Sequence, residues 1–183
     1  MKHDLQYDGT KLTWRNRRTG KESTYRATSG LPEHQKPQFQ CFPDKGPIPE
    51  GTYVLRLDDG DHTATDDGSG RCNLQPSHQL QTIPRGAAAG ECEPYWANWG
   101  WNRIRIEAAD PGTRSKCRVP RGGFYLHDSR KGYSHGCIEV DGQFFRDLKS
   151  EVDRMRAAKI QRRSMTLRVK YVGETTYGDT FRR

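Results

Sequence analysis

The chain reads as a mainly β fold with one principal helix late in the sequence. Three observations predict it. Apolar and polar residues alternate over several short runs, the period of half-buried strands. Glycine and proline are frequent, 19 and 10 of 183 residues, and punctuate those runs with turns. One stretch, Gln143 to Ile160, instead spaces Phe144, Leu148, Val152 and Met155 as a helix does, with charges between them.

The elements follow in order. Leu5 to Tyr25 forms a hairpin unit, with Asp8-Gly9 as a turn, Leu12 and Trp14 alternating with polar neighbours, and Arg18-Thr19-Gly20 closing a second turn. Tyr25 to Gly30 continues as a short strand, and Leu31 to Asp44 is a proline-bearing loop that holds Cys41. Gly46-Pro-Ile-Pro-Glu-Gly-Thr-Tyr53 is a rigid turn feeding a strand, with Tyr53, Leu55 and Leu57 on one face. Asp58 to Gly70 is acidic but lacks the spacing of a calcium loop, so a solvated turn is expected. Cys72 to Cys92 reads as irregular connection. Tyr95 to Trp101 carries Trp96, Trp99 and Trp101. Trp99 and Trp101 share a face if extended and would offer a stacking platform to sugar or peptide, although aromatic clusters more often build cores. From Asn102 to Glu107, Ile104 and Ile106 point one way, and Arg103, Arg105 and Glu107 the other. Phe124 to His127 is a strand with Tyr125 and His127 on one face, and Asp128 to Tyr133 is a loop. Met165 to Val172 is the last strand, and Thr175 to Arg183 is a polar tail.

The length suits one domain, 1–183, with its core over about 20–172. The net charge of +8 and pI of about 9.4 favour polyanionic partners: nucleic acid, anionic lipid or an acidic wall polymer. No groove-reading element supports nucleic acid. The densest cluster, Arg154, Arg156, Lys159, Arg162 and Arg163, reads first as a solubilising face. The N-terminal residues lack the apolar region of a Sec signal, and no apolar run is long enough to span a membrane. Work outside the cytoplasm would then need another export route or a removed leader. Of five cysteines, Cys41, Cys72, Cys92 and Cys117 suit two disulfides, with three pairings open, and Cys137 is left free.

The chemistry concentrates in Tyr125 to Glu139. His127 lies ten residues before Cys137, inside the run Ser134-His135-Gly136-Cys137. A thiol attacks carbonyls as thiolate, which a neighbouring imidazole helps to form. Gly136 allows close backbone approach, so the Gly136 and Cys137 amides are candidates for receiving an oxyanion. His135 would share a face with Cys137 in an extended segment and is a rival base. Zinc ligation by His127, His135 and Cys137 lacks a fourth ligand, and no metal or organic cofactor is called for.

Ser134-His-Gly-Cys-Ile138, preceded by His127, resembles the signature of L,D-transpeptidases. Gly46 to Tyr53 resembles the segment that opens a strand upstream of that family's cysteine, in the right order. Only six residues separate His127 from Ser134, and Glu139 stands where Arg or Asn is usual. This compact spacing is more similar to the L,D-transpeptidase-like effectors of type VI secretion.

The resemblance implies an L,D-transpeptidase-like β-sandwich or barrel and a cysteine-dependent action on peptidoglycan stem peptides: L,D-carboxypeptidase, D-amino-acid exchange or cross-linking. Cys137 is then the nucleophile and His127 the base, its ring held by the carbonyl of Asp128, with Ser134, His135 and Gly136 shaping the pocket. Tyr125, Tyr133, Glu139, Trp99 and Trp101 are the expected substrate contacts, and Glu139 bears on substrate position and acceptor choice. An antibacterial toxin of this kind reaches the periplasm of a target bacterium without a Sec signal and has a cognate immunity protein. A non-catalytic wall-binding module, and a cysteine acyltransferase or peptidase on another substrate, are the alternatives.

Overall fold

The computed structural model describes residues 2–57, 61–92, 94–162 and 164–182, without the side chains of Asp61, Pro94 and Trp96. Asp58 and Asp59 of the acidic turn, Arg163 of the basic cluster and the Trp96 side chain lie outside the described residues.

Eight strands close into a barrel. In spatial order they are β4 (Gly51–Arg56), β10 (Ser164–Val169), β1 (Leu5–Tyr7), β2 (Lys11–Arg15), β3 (Glu22–Ser29), β9 (Ile138–Val140), β8 (Phe124–His127) and β7 (Asn102–Ala108), which pairs back onto β4. Two short strands, β6 (Leu80–Thr82) and β5 (Asp61–Thr63), extend outward from β7. Closure leaves few unpaired strand edges.

The alternation expected from the sequence builds the barrel core. Leu5 pairs with Trp14 and Tyr7 with Leu12, so the four share one face, and Met165 and Leu167 stand opposite Leu55 and Tyr53. Ile104, Ile106, Leu126 and Ile138 complete this interior. After the short helices α1 (Pro94–Trp99) and α2 (Pro111–Arg114), helix α3 (Gln143–Ala157) adds Phe144, Phe145, Leu148, Val152 and Met155, with Phe144 set edge-on against Trp14 and Tyr25. It ends three residues before the expected Ile160. Lys159 adopts a left-handed φ of 55°, and the Ile160 amide donates to Met155 while the Lys159 amide donates to Arg156. That is a Schellman stop, formed here without glycine.

The tryptophan segment departs from the local expectation. It is helix α1, not an extended run. Proline at its start and Gly100 (φ 79°) after its end are helix boundary signals that outweigh the strand-like composition. The Leu31–Asp44 loop contains two 3-10 turns, Pro32–His34 and Pro37–Phe39. The polar tail is bonded to β3. Thr176 Oγ1 donates to Ser29, the Gly178 amide donates to Thr28, and Thr176 and Thr180 are buried.

The disulfides are Cys41–Cys117 and Cys72–Cys92, and Cys137 is free, as expected. A second small core of Ala64, Leu74, Ile83, Ala89 and Tyr95 forms a lobe beside the barrel, with Cys72 and Cys92 packed against it.

Candidate active site

The site grows from the outer face of three adjacent strands. Leu126 pairs with Ile138 and His127 with Glu139 in parallel register, while Arg103 stands opposite His127 in antiparallel register. Leu126 and Ile138 point into the core. The period of two therefore turns Tyr125, His127, Cys137, Glu139 and Arg103 outward together. This face is not solvated. Lobe and tail cover it, so His127, Glu139 and Arg103 are buried, and all four residues of β8 are buried despite their alternation.

A cavity of about 590 Å³ opens over this patch, with His127 and Cys137 both in its lining. Its walls are loops and the end of helix α1, all following disulfide cysteines in the chain. Pro43 and Asp44 follow Cys41, Arg121 follows Cys117, Asn73 follows Cys72, and Asn98 and Trp99 follow Cys92. The crosslinks hold the walls over a rigid barrel floor.

The thiol of Cys137 accepts from the Tyr125 amide at 3.4 Å. Burial pushes this thiol up, against the Tyr125 amide and the cations Lys131, Arg103 and Arg121. Burial likewise holds the His127 imidazole well below its usual range, with Lys131 and Arg103 acting in the same direction. Both shifts favour a resting pair of neutral thiol and neutral imidazole.

The His127 ring sits edge-on to Trp99 at 5.5 Å, and Trp99 edge-on to Tyr125 at 5.1 Å. The Arg103 guanidinium lies 4.4 Å from both the Trp99 and Tyr125 rings, and it is tied to Gln81 Oε1 (2.7 Å) and the Gln75 carbonyl (2.9 Å). This aromatic and cationic bed fixes the floor of the site.

The partner of His127 differs from expectation. Its Nδ1 lies 3.0 Å from Ser129 Oγ, whose hydroxyl donates to Glu139 Oε2. The Asp128 carbonyl instead abuts Gly100, where a Cβ would come within 2.4 Å of it. The Asp128 carboxylate accepts from the Trp101 and Asn102 amides at 2.7 and 2.8 Å, which ties β7 to the end of β8.

Ser134 and Gly136 shape the turn before the thiol. Ser134 Oγ donates to the Cys137 carbonyl at 2.5 Å and accepts from the Gly30 and Gly136 amides. The Gly136 amide is thus already engaged, and of the expected pair the Cys137 amide is the one left for an oxyanion. Gly136 needs its glycine: φ is 122°, and a Cβ would lie 2.5 Å from Arg121. His135 is exposed, lines the cavity and bonds the Asp44 carbonyl through Nδ1 at 3.0 Å.

The expected substrate contacts divide. Trp99 lines the cavity, and Tyr125 lies beneath it with its amide on the sulfur. Trp101 does not share Trp99's face; it is half-exposed, outside the cavity, with Arg85 over its ring. Tyr133 packs under Lys131 rather than lining the cavity. Glu139 is fully buried, beside His127 in the strand pairing, and does not line the cavity.

Sequence reasoning passed over Ser129, Lys131, Arg103 and Arg121. Arg121 donates to the carbonyls of Gln40, Gly46 and Pro47 and so knits the wall loops together. Lys131 brings a cation to the cavity wall. Among the described residues, no group of three His, Cys, Asp or Glu side chains is arranged to hold a metal, and no helix is long and apolar enough to cross a membrane.

A sequence model of the Tlde1 domain matches residues 23–163. The chain belongs to the Tlde1 domain family. This is the family of type VI secretion L,D-transpeptidase effectors, in agreement with the resemblance of the Ser134–Ile138 run. No curated protein matches the chain. Among solved structures it is similar to that of Bdellovibrio bacteriovorus Bd1075, at 12% identity and a TM-score of 0.44, over 94% of this chain and 49% of that one. The Tlde1 chain thus spans about half the length of the Bd1075 chain it matches.

Proposed function

We propose that this Tlde1 domain is a cysteine-dependent L,D-carboxypeptidase and exchange enzyme acting on tetrapeptide stems of peptidoglycan, delivered as an antibacterial toxin into the periplasm of a target cell. The observation that carries the reading is one cavity, walled by disulfide-held loops, lined by both His127 and Cys137.

His127 Nε2 takes the proton of the Cys137 thiol as the sulfur attacks the carbonyl of the stem's third residue. The carbonyl oxygen becomes an oxyanion, received by the Cys137 amide. Collapse breaks the amide bond, and His127 returns the proton to the leaving amine of D-alanine. A thioester remains on Cys137. Water attacks it with His127 as base, which gives a tripeptide stem and restores the thiol. A free D-amino acid in place of water gives exchange, and the amine of another stem gives a cross-link. Lys131 offers a cation to the stem's carboxylates, in keeping with the net charge of +8. A cognate immunity protein would protect the producer.

The test is muropeptide analysis by chromatography and mass spectrometry. Wild type is expected to release D-alanine from tetrapeptides. Cys137→Ala should abolish release, and His127→Ala should reduce it by about 10²- to 10⁴-fold. His135→Ala should lose far less. Full activity in Cys137→Ala would sink the mechanism, and an equally deep loss in His135→Ala would transfer the base to that residue.

A further inference from the structure

We infer that Glu139 and Ser129 form a relay that fixes the tautomer of His127 and balances its charge, in place of a backbone carbonyl. The inference rests on the thiol–imidazole reading above and adds two positioning residues to it.

The donors and acceptors around Glu139 fix where the protons lie. Glu139 is fully buried, yet four donors surround it. Oε2 receives the Ser129 hydroxyl and the Lys131 amide (3.0 Å). Oε1 receives the Gly132 amide (2.8 Å) and the Thr180 hydroxyl (2.5 Å). Each oxygen already accepts two hydrogens, so the arrangement suits a carboxylate, which only accepts. Ser129 has one proton, and it goes to Glu139. Its oxygen can then meet His127 Nδ1 only as an acceptor, so Nδ1 carries the hydrogen. Nε2 is left with its lone pair, as a base toward the thiol requires.

The same chain acts later in the cycle. When Nε2 holds the thiol proton, the ring is an imidazolium with the Lys131 and Arg103 cations nearby. Glu139 is the anion that offsets them through Ser129, across a buried and weakly screened path. The relay also accounts for glutamate at this position. A longer neutral or cationic side chain would not accept four hydrogens. Thr180 brings the C-terminal tail into the relay, so the tail is part of the site's support.

Glu139→Gln and Ser129→Ala separate positioning from packing. Gln can turn its NH₂ toward Ser129, which frees the serine proton for Nδ1 and moves the imidazole hydrogen to Nε2, the wrong side. Turnover of Glu139→Gln should fall by tenfold or more, bounded by the ~10⁴-fold loss of a fully misassigned tautomer, with KM within about twofold. Ser129→Ala should fall by less, and Ser129→Thr, which keeps the hydroxyl, should recover most of the activity.

Two readouts do not depend on the substrate. Nitrogen-15 NMR of labelled imidazole should show His127 as the Nδ1–H tautomer in wild type and a shift toward Nε2–H in Glu139→Gln. The pH profile of Cys137 alkylation by iodoacetamide should move in both variants, with Lys131, Arg103 and Arg121 unchanged as the surrounding cations. A wild-type Nε2–H tautomer, or an alkylation profile unchanged in Ser129→Ala, would overturn the relay. If wild type releases no D-alanine, the wall-peptide reading fails, and the NMR and alkylation results still decide the relay. Should Glu139→Gln fold poorly, the comparison of Ser129→Ala with Ser129→Thr carries the decision.

Discussion

At the scale of single residues, His127, the base of the proposed reaction, also bears on stability. Burial keeps its imidazole neutral well below the usual range, whereas in the unfolded chain it titrates near 6.5. As pH falls through 6.5 the unfolded state takes up a proton that the folded state refuses. Stability therefore falls with acid, from 6.5 down to the depressed folded value, and this contribution is fully present above 6.5. Wild type should lose a few degrees of Tm between neutral and mildly acidic pH, at roughly 2–4 °C per kcal/mol for a chain of this length. His127→Gln should lose less over the same interval, and the difference isolates this group from the titrating carboxylates. Equal slopes in thermal melts of the two proteins would show that the imidazole is not held neutral. His127 and Cys137 were legible because their chemistry is rare and their spacing short. Ser129, only two residues from His127, was not, because a serine in a loop carries no signal until its partner Glu139 is seen across the strand pair. From its alternation Arg103 is only one of three polar residues on the strand face opposite Ile104 and Ile106. The lobe that buries it and gives it Trp99 and Gln81 is made by sequence outside that strand.

At the scale of elements, the legible ones were those whose own pattern meets one core. Strands β2, β4, β7 and β10 and helix α3 each bury an alternating or helical set of side chains in the barrel interior. Helix α1 failed the same reading because Trp99 answers to the lobe and to His127, not to the barrel. Its end is decided by Gly100, which combines a φ of 79° with a backbone approach to Asp128 that leaves no room for a Cβ. Gly100→Ala should cost about 1–3 kcal/mol through strain alone, plus the displacement of Asp128 beside the site. The lobe also depends on Cys72–Cys92, which closes a sequence separation of 20 residues. Replacing both cysteines with serine should loosen the cavity wall while the barrel stays folded, since the lobe has its own small core. Hydrogen exchange should then rise in residues 61–99 well before it rises in β1, β2 and β10, with a larger KM for the stem peptide. Uniform loss of protection across both regions would mean that lobe and barrel form one cooperative unit.

At the scale of the whole molecule, the net charge of +8 acts at long range and the cavity at short range, and salt separates the two. The densest basic cluster is partly neutralised, with Arg154 paired to Glu151 and Arg162 to Asp4. Under the proposed function, attraction to a wall polymer is therefore expected from the total charge rather than from that cluster. Raising salt from about 0.1 to 1 M shortens the Debye length from about 10 to 3 Å and screens exposed charges far more than buried ones. Inside the site, the Glu139 relay and the Arg103 bed are buried, so their interactions should persist. Binding of the Cys137→Ala protein to purified sacculi, measured by co-sedimentation, should fall severalfold over that range. Release of D-alanine from a soluble tetrapeptide muropeptide by wild type should change much less, because a small substrate enters the cavity without the polymer's field. If both fall in parallel, recognition of the stem is itself carried by exposed charge, and Lys131 at the cavity wall becomes the residue to replace first. If sacculus binding ignores salt, the basic surface has no part in reaching the wall, and contacts within the cavity must supply the affinity.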